Sequence, residues 1–237
     1  MIVAEILEAL RVLAKPEKAA FLPRFFKTGK GEYGEGDKFL GVINPDAHKV
    51  AAEFWNKVDL KNVEQILSSE FHEMRFVALL ILVKKYAKSK TQEAQLELIQ
   101  FYLKHTQYIN NWDLVDLSCY KILGHYCYHH QEDAILWSLS HSENMWEKRI
   151  AIVGTMYYVK KNAFDLCLDL ILNNLKHPHN LMHKANGWLL REVGKKDEER
   201  MLEFLKEHYK VMPRTSLRYA IEKLEEPLRQ QFLKGLV

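Results

Sequence analysis

The chain has 237 residues, of which 48% are hydrophobic and 27% are charged, and its formal net charge is +3 at pH 7. This length and composition exclude a disordered chain, and they allow a core that folds as one domain without a disulfide or a structural metal. The mild positive charge permits a polyanionic partner without requiring one.

The N-terminal segment, MIVAEILEALRVLAKPEK, has acids inside its apolar run and no small-residue cleavage site, so no signal peptide is predicted. No apolar run is long enough to cross a bilayer, and we expect a cytoplasmic protein without a membrane partner. The three cysteines are odd in number and lack CxxC spacing, as expected of buried free thiols in a reducing compartment. They are Cys119, Cys127 and Cys167.

Glycines crowd into residues 28–44, where GKGEYG matches the G-x-G-x-x-G pattern of a dinucleotide-binding turn. That turn needs a strand before it and a helix after it. Here the preceding AAFLPRFFK has a helical pattern and the following EGDKFLGVINP has no helical period. We therefore predict a flexible linker loop between the N-terminal helices and the repeats, from which Lys27 and Lys30 could reach a phosphate.

The rest of the chain predicts helices, because apolar residues recur at spacings of three and four without sustained alternation. Helix starts are marked at Pro45, Asp59, Thr91 and Pro213. Breaks fall at residues 88–90, 129–132, 140–144, 177–180 and 195–197. Together these signals predict roughly a dozen helices of about 10–16 residues, joined by short connections.

Polar groups recur near the starts of otherwise apolar helices. The intervals between Arg75, Asp116, Arg149 and Trp188 are 41, 33 and 39 residues, close to the repeat length of HEAT and armadillo helix pairs. We predict an all-α, right-handed superhelical solenoid of HEAT-like helix pairs that forms a single domain over residues 1–237. In such a stack the second helix of each pair lines the concave face, where these positions would converge.

The most informative local motif is NNWDLVD, in which Trp112 and Asp116 are four residues apart and so share a helix face. Two further pairs occur at three-residue spacing, Trp146 with Arg149 and Trp188 with Arg191. Indoles, guanidinium groups and one carboxylate on one surface suit a polyanion that carries a flat cationic group. The alternative is structural, with the tryptophans as core anchors and the acids as helix caps or ion-pair partners.

Other chemistry is poorly supported by the sequence. The residues His125, Cys127 and His129, and the histidines of HPHNLMH, do not match a zinc signature. No P-loop or G-x-S-x-G nucleophile elbow occurs. We therefore predict neither a metal nor a cofactor.

The set NNWDLVD, ENMWEKR and ANGWLLRE, with RFFK and FLGV nearer the N-terminus, resembles the AlkD-type DNA alkylation repair family of bacterial HEAT-repeat DNA glycosylases. The resemblance extends from about Arg24 to Leu224. It implies a monomeric bacterial enzyme that hydrolyses the N-glycosidic bond of cationic purines, such as 3-methyladenine and 7-methylguanine, in double-stranded DNA. It also implies that the lesion need not be flipped into a deep pocket, unlike in most glycosylases.

Residue roles also follow from the resemblance. It implies Asp116 as the catalytic carboxylate, Trp112 and Trp188 as the residues that contact the lesion, and Arg149 as a DNA contact. The remaining predicted DNA contacts are Arg191, Trp146, Phe25 and Lys27. Many relatives have Tyr where this chain has Phe25, which preserves an aromatic face but removes a hydroxyl.

Two other functions are open to the sequence. The first is a non-catalytic HEAT-repeat module that binds a protein or DNA, since most HEAT solenoids are scaffolds. The second is a relative that recognises branched or distorted DNA without lesion chemistry. The intact Trp112, Asp116 and Trp188 set argues against the second alternative, whereas Phe25 favours it, and the first stays open.

Overall fold

A computed structural model describes residues 1–237 and shows an all-helical chain, with a single isolated β-bridge between Lys38 and Phe71. The prediction of an all-α fold is confirmed. By their contacts the residues form two compact units, residues 1–118 and residues 119–237. The proposed single domain over the whole chain stays a prediction. No helix is long and apolar enough to cross a membrane.

The first unit holds seven α-helices and one 3₁₀ turn at Thr106–Tyr108. The helices are α1 (Ile2–Val12), α2 (Pro16–Phe25), α3 (Asn44–Phe54), α4 (Leu60–Leu67), α5 (His72–Lys88), α6 (Gln92–Lys104) and α7 (Trp112–Cys119), whose last residue belongs to the second unit. The helix α5 is at the centre, because most of its residues are buried and it packs against α1, α3, α4 and α6.

The predicted helix starts of this unit are confirmed. The Asp59 side chain accepts a hydrogen bond from the Asn62 amide, and the Asn62 side-chain oxygen accepts one from the Asp59 amide, so α4 begins with a capping box. Thr91 caps α6 by accepting from the Ala94 amide. Such caps satisfy amides that have no partner within the helix.

The second unit begins with a π-helical stretch, Tyr120–Gly124, and ends with a helix that follows a 3₁₀ turn at Ile221–Lys223. Its helices are α8 (His125–His130), α9 (Asp133–Ser140), α10 (Met145–Gly154), α11 (Met156–Lys160), α12 (Asp165–Asn173), α13 (Asn180–Gly194), α14 (Glu198–His208), α15 (Arg214–Ala220) and α16 (Glu226–Lys234). The breaks predicted in this unit separate helices as expected, whereas the breaks at Thr155 and at residues 161–164 were not predicted.

Close helix contacts in the second unit depend on glycine. A Cβ atom on Gly187 of α13 would lie 2.4 Å from the Ser216 carbonyl oxygen and 2.5 Å from the Cβ of Tyr219, both on α15. A Cβ on Gly124 would lie 2.1 Å from the Gly154 carbonyl oxygen. Neither backbone oxygen can swing aside, so these two positions set how closely the helices approach.

All three cysteines are free and buried, as predicted. Burial raises the pKa of both Cys127 and Cys167 to about 12. These thiols are therefore protonated at neutral pH and poor nucleophiles.

Candidate functional site

Within the first unit, the helix α7 presents Trp112 and Asp116 one turn apart. Both side chains are partly exposed, whereas Asn111 just before the helix is fully buried. The Asn111 side-chain oxygen accepts a hydrogen bond from the Trp112 amide at 2.8 Å, and so satisfies an amide at the helix start. A ring and a carboxylate are thus carried on one face of a firmly capped helix.

Aromatic rings surround Trp112. Its indole lies nearly parallel to the Phe26 ring at a centroid distance of 5.4 Å, and the Phe25 ring meets it edge-on at 5.9 Å. The Phe26 ring is buried, while Phe25 is 48% exposed. The structure therefore brings Phe25 and Trp112 together, as parts of one aromatic surface with a solvent-facing edge.

Several buried charged side chains, joined by hydrogen bonds, lie next to this aromatic surface. His72, on α5, hydrogen-bonds through Nδ1 to the Asp37 carboxylate at 3.0 Å and through Nε2 to the Asp113 carboxylate at 2.8 Å. The Arg75 guanidinium pairs with the other oxygen of Asp37 at 2.5 Å. The imidazole also packs against the Phe26 ring, tilted by 35°, at a centroid distance of 4.7 Å. We call Asp37, His72, Arg75 and Asp113 the buried charge cluster.

The protonation of this cluster follows from its geometry. Burial alone would lower the pKa of His72, but the charge and hydrogen bond of Asp113, with the hydrogen bond to Asp37, raise it to about 9. Burial would raise the pKa of Asp37, but the hydrogen bond from His72 and the charge of Arg75 leave it lowered. At neutral pH the cluster therefore holds an imidazolium between two carboxylates.

The glycine-rich loop is anchored to α5. The buried Glu73 carboxylate accepts hydrogen bonds from the amides of Leu40, Gly41 and Val42 at 3.0, 2.8 and 3.2 Å. Gly41 has φ +87°, and a Cβ atom there would lie 2.3 Å from the Lys15 carbonyl oxygen. The loop is therefore anchored to α5 at residues 40–42, and the flexibility expected of residues 28–44 stays a prediction.

The predicted phosphate contact Lys27 lies at the start of the same loop. Its side chain is exposed, and its backbone has φ +56°, the left-handed conformation that side-chain-bearing residues rarely adopt. Lys30, three residues further along the loop, is also exposed. Contact of either lysine with a phosphate stays a prediction.

In the second unit, Trp146 and Arg149 of α10 are largely buried, with exposed fractions of 8% and 4%. One guanidinium nitrogen of Arg149 donates to the Leu181 carbonyl oxygen at 2.6 Å and so ties α10 to the start of α13. Arg149 thus has a structural contact that the sequence did not predict. Its role toward DNA, and that of Trp146, stay predictions.

Trp188 and Arg191 lie on α13, next to the close contact at Gly187. The Trp188 side chain is partly exposed. The Arg191 guanidinium pairs with Glu222 in the 3₁₀ turn that follows α15. A phosphate would have to compete with that carboxylate, so Arg191 contributes less free positive charge than the sequence suggests.

Sequence reasoning missed most of the buried charge cluster. Asp37 lies in a loop without a recognisable motif, and His72 and Glu73 precede an apolar helix. The sequence feature that could have indicated the cluster is the run HEMR at the start of α5. Its four polar or sulphur-containing side chains precede ten mostly apolar ones. No group of three or more His, Cys, Asp or Glu side chains could hold a metal ion.

A comparison with known protein families shows to which family the chain belongs. The family model described as "DNA alkylation repair enzyme" matches residues 6–224. The chain belongs to this family. The predicted resemblance to DNA alkylation repair proteins is therefore confirmed, and it covers most of both units described above.

A solved structure supports the fold of this DNA alkylation repair family member. It is described as a predicted DNA alkylation repair enzyme from Enterococcus faecalis, and it superposes with a TM-score of 0.68 at 19% sequence identity. The alignment covers 90% of this chain and 97% of the other. At this identity the likeness concerns the fold alone. A comparison with the curated proteins gives no match.

Proposed function

We propose that the chain is a DNA glycosylase that hydrolyses the N-glycosidic bond of cationic alkylated purines, such as 3-methyladenine and 7-methylguanine, in duplex DNA. The observation that carries the proposal is the arrangement on α7, where Asp116 follows Trp112 by one turn and both are partly exposed. Membership of the DNA alkylation repair enzyme family supports the class of substrate.

The chemistry requires only a carboxylate and a water molecule. An alkylated purine is already cationic, so it leaves with the electron pair of the N-glycosidic bond without being protonated first. Positive charge then develops on the deoxyribose, and the Asp116 carboxylate stabilises it. Water adds its oxygen to the anomeric carbon, and its proton passes to Asp116 and then to solvent. The products are the neutral base and an abasic site.

Trp112 would contact the damaged nucleotide through the indole face that Phe26 does not cover. The Phe26 ring stacked at 5.4 Å and the Phe25 ring at 5.9 Å restrict the indole to one orientation. An indole face attracts a cation by about 0.5–2 kcal/mol, which favours a methylated base over an undamaged one. The rings also exclude water, which strengthens the action of the nearby carboxylate on the developing charge.

We assign the second unit to DNA binding, with Trp188 as a further lesion contact. Trp188 is partly exposed on α13 and so has indole surface available. Arg149 is 4% exposed and hydrogen-bonded to the Leu181 carbonyl. An Arg149→Ala variant should therefore lower thermal stability as well as weaken DNA binding, because it removes a buried hydrogen bond between α10 and α13.

The test is excision by an Asp116→Asn variant, with Asp169→Asn as the matched control because Asp169 is exposed on α12. Methylated duplex DNA is incubated with each protein and the released bases are quantified by chromatography. We expect Asp116→Asn to lower 7-methylguanine release by well over tenfold with little change in duplex binding. Equal release by the wild type and Asp116→Asn would remove Asp116 from the mechanism.

A non-catalytic relative that binds branched or distorted DNA is the second candidate. Phe25, which lacks the hydroxyl that many relatives carry, is the observation that favours it. The same assay separates the two candidates. A binding protein would release no base from methylated DNA but would bind a four-way junction more tightly than a linear duplex.

A further inference from the structure

A group of lysines and tyrosines in the second unit has no part in the proposed excision step. Tyr120 lies in the π-helical stretch, and the ammonium group of Lys160 lies 4.2 Å from the centre of its ring. The ammonium group of Lys121 lies 5.4 Å from the same centre. Two cations therefore share one aromatic ring, and although the ring attracts each of them, they repel one another.

A second ring extends this group. The Lys161 ammonium lies 5.6 Å from the centre of the Tyr157 ring, and the Tyr157 hydroxyl is 2.9 Å from Nε2 of His129. Lys160, Lys161 and His129 are exposed. The result is a solvent-facing surface of cationic groups over two phenol rings. We call Tyr120, Lys121, Tyr157, Lys160 and Lys161 the lysine–tyrosine surface.

These charges are not neutralised within the protein. None of the three lysines forms an ion pair with a carboxylate, in contrast to Lys195 and Lys223 of the same unit, which pair with Glu192 and Glu222. Burial and the charge of Lys160 both lower the pKa of Lys121. Folding thus maintains mutual repulsion that a single substitution would relieve, which is typical of a site that binds an anion.

The position of the surface is consistent with a long polyanion. Lys160 is exposed at the end of α11, 11 residues after Arg149 of α10, and the helix is interrupted at Thr155 between them. At 1.5 Å per residue the two residues are separated by at most about 16 Å along these helices. That separation spans several phosphates of a DNA strand rather than one small anion.

We propose that the lysine–tyrosine surface binds successive phosphates of one DNA strand, outside the place where the damaged base is excised. This inference rests on the proposed function only for the identity of the polyanion. Lys121 and Lys160 would share one phosphate over the Tyr120 ring, and Lys161 would contact a neighbouring one. Contacts of this kind add affinity and fix orientation, but they do not read sequence or damage.

The test is the salt dependence of binding to an undamaged fluorescent duplex, measured by anisotropy for wild type and a Lys121→Gln, Lys160→Gln double variant. Each phosphate contact contributes about 0.9 to the slope of log affinity against log salt. We expect the slope of the double variant to be smaller by about 0.9, because the two lysines share one phosphate. A Lys121→Arg, Lys160→Arg variant, which keeps both charges, should retain the wild-type slope.

The matched control is a Lys196→Gln, Lys206→Gln variant, because both residues are exposed and belong to the same unit. It removes the same net charge and should leave the slope within about 0.5 of the wild type. Thermal unfolding should show the test variant to be as stable as the wild type or more stable, since it relieves repulsion. An equal slope for the test variant and the control variant would overturn the inference.

Competition experiments identify the anion. Inorganic phosphate and polyglutamate are each added to the complex of protein and duplex. If either displaces the duplex from wild type as effectively as unlabelled DNA of equal charge concentration, the surface is a small-anion site or an acidic-protein site, and the inference is wrong. Binding to undamaged DNA does not require excision, so these results are independent of the Asp116→Asn assay.

Discussion

The buried charge cluster should make the stability of the protein depend on pH in an unusual window. His72 has a pKa raised from 6.5 to about 9, because burial is outweighed by Asp113 and Asp37. Because the folded state binds the His72 proton more tightly than the unfolded state does, protonation stabilises the fold. This contribution is fully present below pH 6.5 and is lost as the pH rises through 9. The perturbation that tests this is Asp113→Asn, which removes the largest contribution that raises the pKa while keeping the side-chain shape.

The size of the expected stability change follows from the shift of the His72 pKa. A change from 6.5 to about 9 corresponds to roughly 3 kcal/mol of differential stability. The His72 side chain is only 4% exposed, so solvent screening reduces this little. Wild type should therefore lose roughly 3 kcal/mol of unfolding free energy between pH 6.5 and 9.5, and Asp113→Asn should lose less than about 1 kcal/mol over the same range.

Urea unfolding at several pH values, followed by tryptophan fluorescence, measures both quantities. Asp46→Asn is the matched control, because Asp46 is also in the first unit but pairs with the exposed Lys49, outside the buried charge cluster. An NMR titration of the His72 imidazole gives the pKa directly. A His72 that titrates near pH 6.5 in the wild type, or an unchanged pH dependence in Asp113→Asn, would refute the reasoning.

Three further outcomes are expected. Gly187→Ala should lower the unfolding free energy by about 1–3 kcal/mol in chemical denaturation, because its Cβ would lie 2.4 Å from the Ser216 carbonyl oxygen; unchanged stability would contradict the close helix contact. Phe25→Ala should lower base release from methylated DNA, and Phe25→Tyr should retain it, if the ring at 5.9 Å from Trp112 acts by its aromatic face. Glu73→Gln should speed hydrogen exchange of the residue 40–42 amides, with little change in α14 as the internal reference.

The helices could be predicted from the sequence because their signals are local. Asp59 and Thr91 are caps whose partners lie three residues away. The breaks between helices similarly depend on short runs of polar residues or on proline. Such features are fixed by neighbouring residues, which is why their predicted positions agree with the structure.

The site could be predicted only in part, because its contacts connect distant residues. The hydrogen bonds of His72 join residues 35 and 41 positions away, and nothing local in the sequence indicates them. The bond from Arg149 to the Leu181 carbonyl spans 32 positions. Periodicity places Arg149 on a helix face, but it does not indicate whether that face is packed or open.

The buried charge cluster also limits how the sequence can change over generations. Asp37 and Asp113 contribute two negative charges, and Arg75 and protonated His72 contribute two positive ones. Replacing one member leaves an unmatched charge in a dry interior, which costs about 3–5 kcal/mol, whereas exchanging all four for apolar residues can be neutral. In descendants of this chain the four positions should therefore persist as a set or be substituted together, with few viable intermediates between the two states.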